Sequence, residues 1–312
     1  MSSTENGHAS KDGSKTILWC VPRAISTAFA KCLSNIEDTE VWFEPYTYSY
    51  VTRVEYELQT KLAIPTEYEG NEETFQKAKE MLDLLSQTKN EAHRLPYGSV
   101  KHRLEASTAK HVFVKDMAFG VPDGYRQFLP KGYRHTFLIR NPHRSIYSYR
   151  KSMFKQFSEL GLLEGEAADE KTYDVERHDR FFAPGCFVKE VYDLWKYLQD
   201  SGIDPNPLII DGDDLLTKPA ETLSAYCAAV GLPYNDSLLQ WDASVEAFNK
   251  MKACGDNLLM DIVNFYGTAM KSSCFLPPSK FLSRDQLPAD VIRCSDKVMP
   301  YFDEMYEARL KV

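Results

Sequence analysis

The sequence has no apolar run long enough to span a membrane, and its opening stretch MSSTENGHASKDGSK lacks the apolar core of a signal peptide. Residues 1–14 therefore read as a polar, disordered tail, and the protein as cytoplasmic with no membrane partner. Cysteine occurs at positions 20, 32, 186, 227, 254, 274 and 294, without a CxxC or any paired spacing. That excludes a disulfide framework and reads as reduced thiols. Basic residues are not in excess: 37 Lys and Arg stand against 45 Asp and Glu, for a formal charge of −8. Binding of a nucleic-acid backbone is thereby excluded as a main role. No cluster of His, Cys and carboxylates has metal-ligand spacing, so no metal is expected. Internal repeats and low-complexity tracts are missing too, and residues 15–312 read as one domain of ordinary globular composition, 43% apolar and 26% charged.

What is present is organised around Lys15 to Asn35, KTILWCVPRAISTAFAKCLSN. Ile17 to Val21 reads as a buried strand, and Ala28, Phe29, Cys32, Leu33 and Ile36 recur at helical spacing. Pro22 to Thr27 must turn between them, with Ser26 or Thr27 as N-cap. Such a turn aims several backbone N–H groups at one point, where the helix dipole adds positive potential, which makes a phosphate cradle. The nucleoside-triphosphate loop GxxxxGK[ST] is not there: both glycines and the lysine are missing. Ile25 also narrows the turn, since a β-branched residue resists positive φ.

Thr39 to Phe43 is a second predicted strand, ending at Glu44-Pro45 and followed by the aromatic stretch Tyr46 to Tyr50, read as an active-site rim. Phe75 to about Arg94 reads as a peripheral helix. His111 to Lys115 is a third strand, with Lys115-Asp116-Met117 at its end, and His135 to Ile139 is a fourth, closed by Arg140. Pro142 then opens a helix that buries Ile146, Tyr149, Met153 and Phe157 and leaves Arg140, Arg144 and Ser148 on a polar side. The acidic stretch Glu159 to Glu176 reads as a lid, near Arg177, His178 and Arg180. A helix from Cys186 to Gln199 and a fifth strand, Pro207 to Asp211, follow. Ser244 to Leu259 and Pro288 to Leu310 read as helices around a Pro277-Pro278 loop. Apolar strands without alternation, interleaved with helices, predict a three-layer α/β/α fold with a central parallel sheet of about five strands.

Two stretches carry a family resemblance. Pro22-Arg-Ala-Ile-Ser-Thr27 resembles the 5′-phosphosulfate loop of sulfotransferases, Pro-[Lys/Arg]-Ser-Gly-[Ser/Thr]-Thr, with Ala24 and Ile25 as departures. Arg140-Asn-Pro through Ser148 resembles their 3′-phosphate site. Lys115 matches the lysine at the end of the corresponding strand, Met117 stands where the cytosolic branch has its catalytic histidine, and the run from Asp211 to Gly231-Leu-Pro resembles a further architectural segment. The resemblance implies the P-loop kinase-like fold and 3′-phosphoadenosine 5′-phosphosulfate (PAPS) as donor, with a small-molecule hydroxyl or amine as acceptor. It assigns Arg23, Ala24, Ile25, Ser26, Thr27, Arg140 and Ser148 to the donor, and Arg23 and Lys115 to the charge developing on the leaving group. A late loop closes over the adenosine in such enzymes, where Lys250, Lys252 or Lys271 is the candidate contact. With no histidine at 117, Glu44 is the favoured general base and Asp116 its competitor. The rival readings are an atypical P-loop kinase or NTPase and a non-catalytic nucleotide-binding protein.

Overall fold

The computed structural model describes residues 13–86, 89–243, 251–254 and 263–312. Its strands are β1 (Ser14–Cys20), β2 (Thr39–Phe43), β3 (His111–Met117), β4 (Arg134–Ile139) and β5 (Leu208–Asp211). They form one sheet in the order β2-β3-β1-β4-β5, and every neighbouring pair is parallel. The longer helices, in chain order, are α1 (Ser26–Leu33), α2 (Pro45–Thr60), α3 (Glu72–Ser86), α4 (Tyr97–Glu105) and α5 (Pro142–Glu159). After the short α6 (Val175–His178) come α7 (Val188–Asp200), α8 (Gly212–Thr217), α9 (Pro219–Val230), α10 (Val263–Lys271) and α11 (Ala289–Glu307).

Parallel strands need crossovers, and crossovers put helices on both faces, so the strands have no solvent face to alternate toward. Ile17, Leu18, Trp19 and Cys20 are accordingly all buried. The register aligns the carboxyl ends: Cys20 lies opposite both Met117 and Leu138, Phe43 opposite Lys115, and Ile139 opposite Asp211. The residues that follow β1, β2, β3 and β4 therefore emerge along one edge of the sheet, where open parallel sheets bind ligands.

Several boundaries differ from those the sequence suggests. β1 begins at Ser14, inside the stretch read as tail, because Ser14 already pairs with His111. The aromatic stretch Tyr46 to Tyr50 belongs to α2, and the peripheral helix ends at Ser86, well before Arg94. Most of the helix expected over Ser244 to Leu259 lies outside the described residues; the described part, 251–254, instead brings Lys252 into a bridge with Trp42. The segment read as a lid is tied down by Arg150, whose guanidinium donates to the carbonyls of Glu170 (2.7 Å) and Tyr173 (2.5 Å) and to Asp290 of α11 (2.9 Å). No helix among the described residues is long and apolar enough to cross a membrane.

Candidate functional site

The turn from β1 into α1 is built on two left-handed residues, Arg23 (φ 66°) and Ile25 (φ 74°). Ile25, not Ser26 or Thr27, is the N-cap, and no side chain caps α1. The first-turn N–H groups, which have no acceptor within the helix, are thus left to an anion. A β-branched residue in this conformation costs on the order of 1–3 kcal/mol and persists only where its surroundings impose it. Here Ile25 packs against the core, and Gly212 closes on the turn from behind. A Cβ at 212 would lie 3.1 Å from the Ala24 carbonyl oxygen, so any larger residue there would press the turn by a few tenths of an ångström.

Two guanidinium groups close around the turn. Arg23 Nε donates to Ser148 Oγ at 3.0 Å, and Arg140 Nη1 donates to the Arg23 carbonyl at 2.9 Å. Asp213 serves both Arg140 (3.4 Å) and Arg144 (3.2 Å). Burial lowers the pKa of Arg23 and of Arg140; the Asp213 charge opposes the shift on Arg140, while Arg140 repels Arg23 and Arg144 repels Arg140. A dianion bound here would relieve both the desolvation and the repulsion. The cavity they border holds about 380 Å³, with Ser26, Thr27, Lys115 and Ser148 also in its wall and Pro277 and Ser279 of the late segment across from them. Of the late lysines, Lys252 sits elsewhere, paired with Glu40 at 2.6 Å. Lys271 is exposed, and Lys250 lies outside the described residues.

At the neighbouring strand ends Glu44 and Lys115 meet. Glu44 is left-handed (φ 56°) where β2 passes into α2, and its N–H donates to the Lys115 carbonyl at 2.7 Å. Its side chain thereby reaches Lys115, whose Nζ donates to Glu44 Oε1, while Tyr266 Oη of α10 donates to Oε2 at 2.8 Å. Both charged groups are buried. Burial alone would lower the Lys115 pKa, but the charge and hydrogen bond of Glu44 outweigh it and leave the ammonium favoured. The Phe43 ring lies 4.7 Å from Lys115 Nζ and edge-on to Tyr266. Tyr266 was missed by sequence reasoning, which had only a tyrosine 222 positions away in an amphipathic stretch.

Asp116 takes a different place. Successive strand residues point to opposite faces, and Asp116 turns toward the start of α2. It accepts from the N–H groups of Tyr46 (2.6 Å), Thr47 (3.1 Å) and Met117 (2.8 Å) and from Thr47 Oγ1 (2.7 Å). Burial still pushes its carboxyl up to about 7 against those donors. It lines neither cavity described here, and its hydrogen bonds are those of a group that caps the start of α2.

A second cavity of about 160 Å³ adjoins the first. Val51, Leu82, Phe119, Met153 and Phe157 make it apolar, and Glu44 is in its wall. Met117 and Tyr266 line both cavities, Lys115 only the polar one and Glu44 only the apolar one. The ion pair therefore spans the seam. Arg180 and Arg177, beside the segment read as a lid, are paired with Glu55 (3.2 Å) and Asp174 (3.6 Å).

No family model matches the chain. Sulfotransferases are among the solved structures similar to it. They include the sulfotransferase domain of the curacin biosynthetic pathway (TM-score 0.42, 16% identity, 92% of this chain and 98% of that one). The sulfotransferase domain of the Synechococcus PCC 7002 olefin synthase has TM-score 0.45 and 12% identity, over 95% and 98%. Mouse sulfotransferase SULT7A1 complexed with PAP has TM-score 0.41 and 12% identity, over 96% and 90%. Among curated proteins, the chain is 26% identical over 225 residues to branched-chain-amino-acid aminotransferase-like protein 1 of Arabidopsis thaliana, covering 72% of this chain and 31% of that protein. Protein 2 of the same name and organism is 24% identical over 265 residues, covering 84% and 36%. The chain thus spans about a third of the length of the curated relatives it matches. At these identities and TM-scores, the reading of the site rests on the chain's own geometry.

Proposed function

We propose that the protein is a sulfotransferase that moves a sulfonate group from PAPS to a hydroxyl or amine of a small-molecule acceptor in the cytoplasm. The observation that carries this is the seam: a buried Glu44–Lys115 pair joins a cavity lined by Arg23, Arg140 and the first turn of α1 to an apolar one. PAPS supplies an activated sulfonate on a bisphosphate leaving group. Arg140 and Ser148 hold the 3′-phosphate by charge-assisted hydrogen bonds, and Arg23 with the uncapped first turn of α1, from Ile25 to Thr27, holds the 5′-phosphate. Ala24 contributes only backbone to that turn.

Glu44 removes the proton from the attacking hydroxyl as its oxygen bonds to sulfur and the bond from sulfur to the 5′-phosphate oxygen breaks. Each carboxylate oxygen already accepts one hydrogen bond and keeps a further lone pair for that proton. Lys115 and Arg23 stabilise the charge that develops on the leaving oxygen.

The test is calorimetry with 3′,5′-bisphosphoadenosine, AMP and ATP with Mg²⁺, followed by incubation of PAPS with a metabolite mixture and a search for products heavier by one SO₃. Binding of the bisphosphate well above AMP, with transfer, is the expected result. Tighter binding of ATP with Mg²⁺ would replace the reading by a kinase or NTPase, and bisphosphate binding without transfer to any acceptor would leave a nucleotide-binding protein.

A further inference from the structure

Beside the edge strand β2 lies an open hollow of about 620 Å³ that shares no lining residue with the two cavities of the candidate site. A chain of formal charge −8 here sets three permanent cations, Arg94, Arg103 and Lys252, against one carboxylate, Glu40. Lys252 is fixed in place by main chain: its N–H donates to the Val41 carbonyl and its carbonyl accepts from the Phe43 N–H, both at 2.8 Å.

Two of the cations have counter-charges. Lys252 pairs with Glu40 at 2.6 Å and Arg94 with Glu91 at 2.7 Å. Glu40 is fully engaged, because its other oxygen accepts from Trp42 Nε1 (2.5 Å) and Ser107 Oγ (2.9 Å). Arg103 differs. It is half-buried and lies over the Trp42 ring at 4.7 Å, yet among the described residues its guanidinium makes no hydrogen bond and no ion pair. Burial lowers its pKa, Arg94 adds to that, and the Glu91 and Glu40 charges offset only part of it. A cation taken partly out of water without a partner is costly, and a bound anion would remove the cost. Nη1 is the nitrogen buried without a partner, and the indole covers one face. That leaves the Nε–Nη2 edge, whose fork matches two oxygens of a phosphate.

We propose that this hollow is a second anion site, which takes the phosphate monoester of a small polar metabolite such as a sugar phosphate. Arg103 grips two phosphate oxygens through Nε and Nη2, while Arg94 and Lys252 add the field that favours a dianion over a monoanion. The volume leaves room for a body beyond the phosphate, and Trp42, buried beneath Arg103, offers no open ring face to a nucleobase. The site draws on no transfer chemistry and stands apart from the sulfotransferase reading.

The reporter is the Trp42 indole N–H, which lies at this hollow and not at the donor cavity; its ¹⁵N signal is identified among the four tryptophans by its loss in Trp42→Phe. Ribose 5-phosphate and ribose are the probes, titrated at constant ionic strength. The phosphate should move the signal at millimolar concentration and the sugar should not. Arg103→Leu should raise the midpoint about tenfold or more, since it removes a charge-assisted fork. Arg140→Ala should leave the midpoint unchanged, which separates this hollow from the donor cavity. Arg103→Lys keeps the charge but loses the fork, so it should still weaken binding severalfold, and it takes over if the leucine variant loses its thermal transition. A signal that ribose 5-phosphate does not move overturns the proposal, as does one that ribose moves equally. So does a midpoint that is the same in the Arg103 variants, or that follows Arg140 instead.

Discussion

The two cavities are made in opposite ways. The polar one is walled by backbone and cations from two strand-to-helix junctions, with Arg23 to Thr27 on one and Arg140 to Ser148 on the other. The apolar one is assembled from α2, α3, α5 and the Phe119 and Phe181 loops, and the Glu44–Lys115 pair, Met117 and Tyr266 connect it to the first. Charge binding at a strand end needs few residues, because unpaired N–H groups and a helix dipole come with the chain reversal itself. An apolar pocket has no such local device and draws area from wherever helices leave a gap. The polar side should therefore control donor affinity, the apolar side acceptor choice, and the seam turnover.

The largest effect separates affinity from the rest. Arg140→Ala should weaken 3′,5′-bisphosphoadenosine by about 2–5 kcal/mol, since it removes a charge-assisted partner from a mostly buried site. AMP binding, measured by the same calorimetry, should change little. Equal losses for both ligands would mean that Arg140 shapes the turn through the Arg23 carbonyl and reads no 3′-phosphate.

Next comes the seam. Glu44→Gln keeps the shape and one accepting oxygen, turns an NH2 toward the other of the two donors Lys115 and Tyr266, and cannot take a proton at neutral pH. Turnover should fall about a hundredfold or more while bisphosphate affinity holds. A variant that turns over like the parent would remove Glu44 from catalysis and reduce the pair to a buried structural contact, which by itself is weak evidence of purpose.

The same contrast explains what was legible in the sequence. The turn after β1 and the Arg140–Ser148 junction are contiguous, so both could be singled out from residue order, and the five strands announced themselves by unbroken apolar runs between helical stretches. The conformation of Ile25 could not, because its β-branch argues against φ 74° and only packing around the turn overrides that preference. Lys115 and Glu44 were visible as strand-end residues, yet their contact depends on the β2–β3 register, which is not local. Asp116 was separable from Lys115 in principle, since adjacent strand residues face opposite ways. Tyr266 carried no signal at all: it is a tyrosine brought back from far along the chain.

Tyr266 belongs to both cavities, and its variant is the finest test of their separation. Its hydroxyl holds Glu44 Oε2, and burial together with the Glu44 charge raises its own pKa well above the usual phenol value. It therefore stays a donor across the working pH range and orients the carboxylate without competing for the proton. Tyr266→Phe preserves the ring against Phe43 and removes only that donor. The cost should be about tenfold in kcat, the size of one neutral-to-charged hydrogen bond, with bisphosphate affinity and acceptor KM near the parent values. If instead kcat is unchanged and only KM rises, Tyr266 is a wall between the cavities and the orientation of Glu44 is the work of Lys115 alone.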